Sequence, residues 1–111
     1  MKEVKAYVHS NRIAAVISAL KESAAWSAAE SGDHNLTVYM VKGSLLPQGE
    51  NERHYSLDLG DEVINEYKVE LHCQESHVDE LVDLIRRAGR TGQTNAGWIY
   101  VASIDAAIPI T

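Results

Sequence analysis

Three arginines, Arg86, Arg87 and Arg90, stand just ahead of a loop bounded by Gly92 and Gly97, with Thr91, Thr94 and Asn95 beside or within it. The stretch from Arg90 to Val101 reads RTGQTNAGWIYV, and its chemistry is that of an anion site. Glycine admits positive φ and lets another group approach the backbone closely. A turn of this kind offers successive backbone N–H groups to an anion, and a guanidinium fork matches a planar oxyanion. The same composition also describes a plain helix C-cap followed by a connecting loop, and the residues alone leave both readings open. The loop follows a helix, whose C-terminus carries negative dipole charge. An anion here is therefore held by loop amides and arginines, or by charge from a neighbouring subunit.

Other reactive groups form no catalytic pattern. The histidines, His9, His34, His54, His72 and His77, show no pair at helical zinc spacing. His72 and Cys73 are adjacent on a strand, so they face opposite sides and cannot share a metal. No metal site within one chain is expected; one shared between subunits stays open. No serine sits in a nucleophile elbow, and no Gly-Lys-Ser/Thr phosphate loop is present. Asp61, Glu62, Asp79, Glu80 and Asp83 read as solvated loop and helix charge. The chain is not expected to be an enzyme, and no catalytic residue is assigned.

The elements that must position the loop are legible from periodicity. Val4, Ala6 and Val8 alternate with Lys5, Tyr7 and His9, a half-buried strand. Ser10 and Asn11 are N-cap candidates for an amphipathic helix over residues 12 to 25, with Ile13, Val16, Ile17, Leu20 and Ala24 on its apolar stripe. The run from Trp26 to Ser31 extends it weakly, and Ser31, Gly32 and Asp33 end it. Leu36 to Lys42 alternates again, with Leu36, Val38 and Met40 on one face. Gly43 to Asn65 is polar, contains Pro47, Gly49 and Gly60, and is long for a small domain. It reads as an excursion, partly hairpin and partly flexible. Tyr67 to Cys73 is a third strand. Ser76 and Asp79 resemble a capping box before a second helix carrying Val78, Leu81, Val82 and Ile85. Trp98 to Ile104 is a fourth strand, and Pro109 blocks a regular strand beyond it.

The order is βαβ, excursion, βαβ. Right-handed helical crossovers then give an α+β fold, a ferredoxin-like βαββαβ sandwich, with a four-stranded antiparallel sheet and two helices on one face. The open face would hold Lys5, Tyr7, Thr37, Tyr39, Lys68, Glu70 and His72, with either Trp98 and Tyr100 or their neighbours. So many aromatic rings point to subunit contact, and a homo-oligomer is expected.

Composition bounds the partners. With 111 residues the chain fits one domain, residues 1–111. Its 10 Lys+Arg against 16 Asp+Glu leave a net charge of -6, which argues against nucleic acid and anionic membrane surfaces. A single cysteine, Cys73, allows no internal disulfide and points to a reducing compartment. The N-terminus has neither a signal peptide nor a membrane span, so a soluble cytoplasmic protein is expected.

Three stretches resemble the nitrogen-regulatory P-II signalling family. TVYMVKG at Thr37 to Gly43 is similar to the strand that leads into its T-loop. YKVEL at Tyr67 to Leu71 is similar to the returning strand. DLIRRAGRTGQTNAGWIYV at Asp83 to Val101 is similar to its second helix, B-loop and last long strand. The resemblance implies a homotrimer that binds adenine nucleotides between subunits and requires no cofactor. It implies a T-loop-like excursion, about 43–65, that docks on partner proteins. By position, Thr37, Gly43 and Glu70 would lie around adenine and ribose. Arg87, Gly92, Gln93, Thr94, Asn95 and Gly97 would surround the phosphates.

The departures narrow this. Gln93 and Trp98 stand where the family's B-loop has lysines, and Pro109 and Thr111 stand where its last strand has two arginines. Losing that charge should weaken triphosphate binding most, so AMP or ADP is expected over ATP. Pro47, with Gln48 beside it, replaces the glutamine that helps bind magnesium and 2-oxoglutarate, and Tyr55 is a poor modification site. The chain is therefore more similar to the divergent P-II-like branch linked to inorganic carbon, with bicarbonate as a candidate second ligand. A transporter or a carboxysome-related protein is the implied partner. Arg53 or His54 from the excursion, or Arg87 and Arg90 from the turn, are the candidate bicarbonate residues. Competing readings are a nitrogen-status P-II sensor, a ferredoxin-like trimeric divalent-metal-tolerance protein, and a small enzyme with a site between subunits.

Overall fold

The computed structural model describes residues 1–29 and 32–111. Ser31, expected to help end the first helix, lies outside the described residues. The first strand, β1, runs Lys2–His9 and buries Val4, Ala6 and Val8 on one face. Helix α1, Ile13–Lys21, turns Val16 and Leu20 onto that face. It stops four residues short of the expected end, and its cap is Arg12, without a side-chain cap, rather than Ser10 or Asn11. Ser23 breaks the helix by donating its hydroxyl to the Leu20 carbonyl at 2.6 Å. The same oxygen accepts from the Trp26 N–H at 3.1 Å and starts a separate short helix, α2, Ala24–Ala28. A serine that satisfies both a helix end and a helix start favours the break over continuation.

Strand β2 is Thr37–Gly43, β3 is Arg53–Ser56 and β4 is Asp61–Cys73. Helix α3, Val78–Ala88, has Asp79 and Glu80 in its first turn and Arg86 and Arg87 in its last, as the macrodipole favours. The expected capping box is not made: Ser76 lies in a 3-10 turn, and the helix cap is His77, with no side-chain cap bond. Strand β5 is Trp98–Ser103.

The sheet order is β2-β4-β1-β5, with β1 antiparallel to both β4 and β5 and β2 antiparallel to β4. This is the ferredoxin-like arrangement, with one correction: the sheet has five strands, not four. β3 pairs with Asp61 to Ile64 of β4, just beyond Glu66, where the pairing of β1 ends. Ile64 pairs with Gly43 on one edge and Arg53 on the other, so β3 takes the edge that β1 vacates. Leu81 and Ile85 of α3 close the core against Val69, Leu71 and Cys73. Burial pushes the Cys73 thiol up from its ordinary value.

The open face carries Tyr7, Tyr39, Trp98 and Tyr100 with Lys5, Lys68 and Glu70. The register Tyr7↔Trp98 and Lys5↔Tyr100 assigns the last aromatics to this face. Trp98 and Tyr100 are 52% and 53% exposed, far more than an ordinary sheet tolerates on a face packed by its own chain. Among the described residues no helix is long and apolar enough to cross a membrane.

Candidate functional site

The turn after α3 is built by two glycines for two different reasons. Gly92 has φ +90, a conformation L residues rarely adopt. Gly97 lies so close to β1 that an added Cβ would meet the Tyr7 carbonyl oxygen at 2.3 Å. The first glycine bends the turn and the second seats it on the sheet. Arg12 braces the preceding helix end, its Nε and Nη2 donating to the Ala88 carbonyl at 2.9 and 2.7 Å.

Two hollows flank the turn. One, of about 450 Å³, is lined by Arg86, Arg87, Arg90, Gly92, Gln93, Thr94 and Gly97. The other, of about 620 Å³, lies on the open face and is lined by Gly43, Ser44, Leu45, Leu46, Glu66, Lys68, Asn95 and Tyr100. Tyr7 and Trp98 line both, so the hollows meet across these rings. The first hollow is cationic. Arg87 is tied to Asp83 at 2.9 Å across one helical turn, whereas Arg86 and Arg90 form no ion pair among the described residues. The second is aromatic, with a buried carboxylate, Glu66, at its wall.

The expected residues are brought together only in part. Gly92, Gln93, Thr94, Gly97, Arg87 and Arg90 share the cationic hollow, and Gly43 and Asn95 share the aromatic one. Gln93 is already committed. Its amide nitrogen donates to the carbonyls of Leu46 at 3.2 Å and Pro47 at 3.0 Å, and its amide oxygen accepts from the Thr91 hydroxyl at 2.7 Å. It ties the turn to the base of the excursion. Thr37 and Glu70 pair with each other and line neither hollow. The Glu70 carboxylate accepts from the Tyr39 hydroxyl and lies 3.6 Å from Lys5 and 3.9 Å from Lys68. The Tyr39 hydroxyl, then Lys68 and Lys5, hold its carboxyl below the ordinary range. Lys68 rests over the Tyr39 ring, 4.8 Å from its centroid. Arg53 and His54 do not join Arg87 and Arg90. Arg53 faces Glu62 at 3.9 Å, and His54 sits 3.1 Å from the Lys42 ammonium.

Sequence reasoning missed Glu66, His9 and Glu52. Glu66 and His9 are cross-strand partners and both are buried, and Glu52 reaches His9 Nδ1 at 2.9 Å. The missed signal was strand length. β4 begins at Asp61 rather than Tyr67, which places Glu66 inside the sheet. Among the described residues no cluster of histidine, cysteine, aspartate or glutamate is arranged to hold a metal ion.

A family model described as nitrogen regulatory protein P-II matches residues 1–111. The chain belongs to the P-II family. Similar proteins include the nitrogen regulatory protein P-II of Pyropia yezoensis, 26% identical over 110 residues, covering 99% of this chain and 91% of that one. That of Synechocystis sp. is 28% identical over 110 residues, with the same coverage of 99% and 91%. That of Cyanidium caldarium is 32% identical over 79 residues, 71% of this chain and 70% of the relative. Low identity along nearly the whole chain is consistent with a divergent branch of the family. P-II proteins are regulatory, non-catalytic signal transducers. In a P-II protein with this turn, Gln93 and Trp98 leave the cationic hollow to the three arginines.

Proposed function

We propose that this chain is a P-II-like signalling protein that binds AMP or ADP in clefts between the subunits of a homotrimer. In this reading it is one domain over residues 1–111, acts in the cytoplasm, and uses the excursion at about 43–65 to regulate a transporter or carboxysome-related partner in inorganic-carbon metabolism. The observation that carries it is the division of the site. Gly43, Asn95 and the glycine turn gather at one end of the sheet, while Thr37 and Glu70 lie elsewhere on the open face. Half a site per chain is what a cleft with two walls requires: the turn of one copy and the Thr37–Glu70 pair of the next. The exposed Trp98 and Tyr100 supply the surface that such contact would cover.

Charge then orients the ligand. The Arg86, Arg87 and Arg90 side takes phosphate, and the aromatic side takes the base. Gln93 is engaged with the excursion and Trp98 carries no charge, so a third phosphate finds few donors. Bicarbonate is the proposed second ligand, with Arg90, Arg53 and His54 as candidates; Arg53 and His54 reach it only if the excursion moves.

Calorimetric titration with AMP, ADP and ATP, each with and without bicarbonate, tests this. Tighter binding of ATP than of ADP overturns the nucleotide preference. An affinity for AMP and ADP that bicarbonate leaves unchanged removes it as a ligand. A monomer by light scattering at working concentration removes the inter-subunit cleft. A second reading, a nitrogen-status P-II sensor, is favoured by the names of the relatives. It requires that 2-oxoglutarate change nucleotide affinity, and Pro47 in place of a glutamine opposes that.

A further inference from the structure

The excursion is fastened at both ends to one buried cluster. On its outgoing arm, the Leu45 N–H donates to Glu66 Oε2 at 3.3 Å. The Glu66 carboxyl lies against the backbone of Gly43, where a Cβ would come within 2.2 Å of it. On the return arm, Glu52 sits 2.9 Å from His9 Nδ1, and its Oε1 also accepts from the Gln48 N–H at 3.3 Å. His9 is the last residue of β1 and the cross-strand partner of Glu66. Its exposure is 0%, and neither ring nitrogen has a hydrogen-bonding partner in line.

A buried imidazole against one carboxylate and cross-strand from another has opposite consequences in its two charge states. As a cation it attracts both. When neutral it leaves both carboxylates without that counter-charge in a place that solvates neither fully. The neighbouring cations are engaged elsewhere. Arg12, ahead of α1, gives its guanidinium to Ala88, Lys42 of β2 turns to His54, and Lys68, which lines the aromatic hollow with Glu66, lies 3.9 Å from Glu70. Among the described residues no lysine or arginine pairs with Glu52 or Glu66.

We propose that His9, Glu66 and Glu52 form a proton-operated latch: with His9 protonated the loop 44–52 is held against the ends of β1 and β4, and with His9 neutral it is released. This goes beyond the nucleotide reading and stands in its absence, because no nucleotide contact enters it. It makes the loop 44–52 responsive to protonation of a single buried imidazole. Burial also raises the Glu66 carboxyl above its ordinary value, against the Leu45 N–H and His9.

Amide hydrogen exchange of the full chain, without nucleotide, between about pH 6 and 8 tests the latch. After correction for intrinsic exchange, protection of peptides spanning 44–52 should fall on the order of tenfold as pH rises, the worth of one charge-assisted contact. Peptides from α1 should not change. His9→Gln should show the fast, pH-independent behaviour throughout. Should that variant fold poorly, Glu52→Gln, which alters a residue outside the core, should flatten the pH dependence with unfolding unchanged. Flat protection in the wild type overturns the latch, as does full pH dependence retained in Glu52→Gln. Neither outcome bears on nucleotide affinity, so failure here is distinguishable from failure of the proposed function.

Discussion

Replacing Gly97 by alanine asks whether the turn is seated by close backbone contact. The new methyl would lie 2.3 Å from the Tyr7 carbonyl oxygen, where ordinary contact begins at 3.4 Å. Relief needs a movement of about 1 Å between rigid strands. That movement opens the β1–β5 ladder at its first pair, Tyr7↔Trp98. Overpacking of this size costs about 1–3 kcal/mol, and weakening one ladder hydrogen bond adds about 1 kcal/mol. We expect a loss of about 2–4 kcal/mol in urea unfolding at fixed protein concentration, since association shifts apparent stability. For a chain of this size that is a fall of roughly 8–16 °C in Tm. Gly92→Ala is the internal comparison. It has φ +90 but nothing within 4 Å of its Cβ, so it carries backbone strain alone, about 1–2 kcal/mol. The reasoning is refuted if Gly97→Ala stays within about 0.5 kcal/mol of wild type. It is equally refuted if Gly97→Ala proves milder than Gly92→Ala.

Three further outcomes are expected. Gln93→Ala removes the donors to the Leu46 and Pro47 carbonyls; hydrogen exchange at 44–48 should quicken several-fold, roughly the worth of one hydrogen bond, while global unfolding moves little. Arg12→Ala strips the fork from the Ala88 carbonyl at the end of α3 and should cost about 1–2 kcal/mol in urea unfolding, with Arg12→Lys recovering less than half because an ammonium has no fork. Glu66→Gln keeps an acceptor for the Leu45 N–H and removes a buried charge. Because the folded protein raises this carboxyl, its stabilising contribution is present below the ordinary value of 4.5 and is lost as pH rises through the folded value. The variant should therefore be more stable than wild type at neutral pH and converge with it below about pH 4. A wild type that is the more stable at neutral pH would contradict the assignment.

Much of the scaffold was legible because it obeys short-range rules. The alternation of Val4, Ala6 and Val8, and the stripe of Leu81, Val82 and Ile85, each follow from which side of an element meets the core. The roles of Gly92 and Gly97 were also legible, as positive φ and close approach. The break of the first helix was not: Ala24 continues the apolar pattern, and only the two hydrogen bonds of Ser23 favour a new helix start. Nor was the length of β4. Asp61, Glu62 and Asn65 look like loop residues until β3 pairs with the first two and β2 with the third.

By itself, the sequence determined the layered α+β fold, the acidic surface, and the arginine-flanked glycine turn, because periodicity and residue type act over a few neighbours. Tertiary structure alone decided which chemistry those residues keep. It engaged Gln93 with the excursion, withdrew Thr37 and Glu70 from the turn, and buried His9 against Glu52 and across the strand pair from Glu66. The reason is that burial and charge pairing are set by whatever segment arrives from far along the chain, and no local pattern records that arrival.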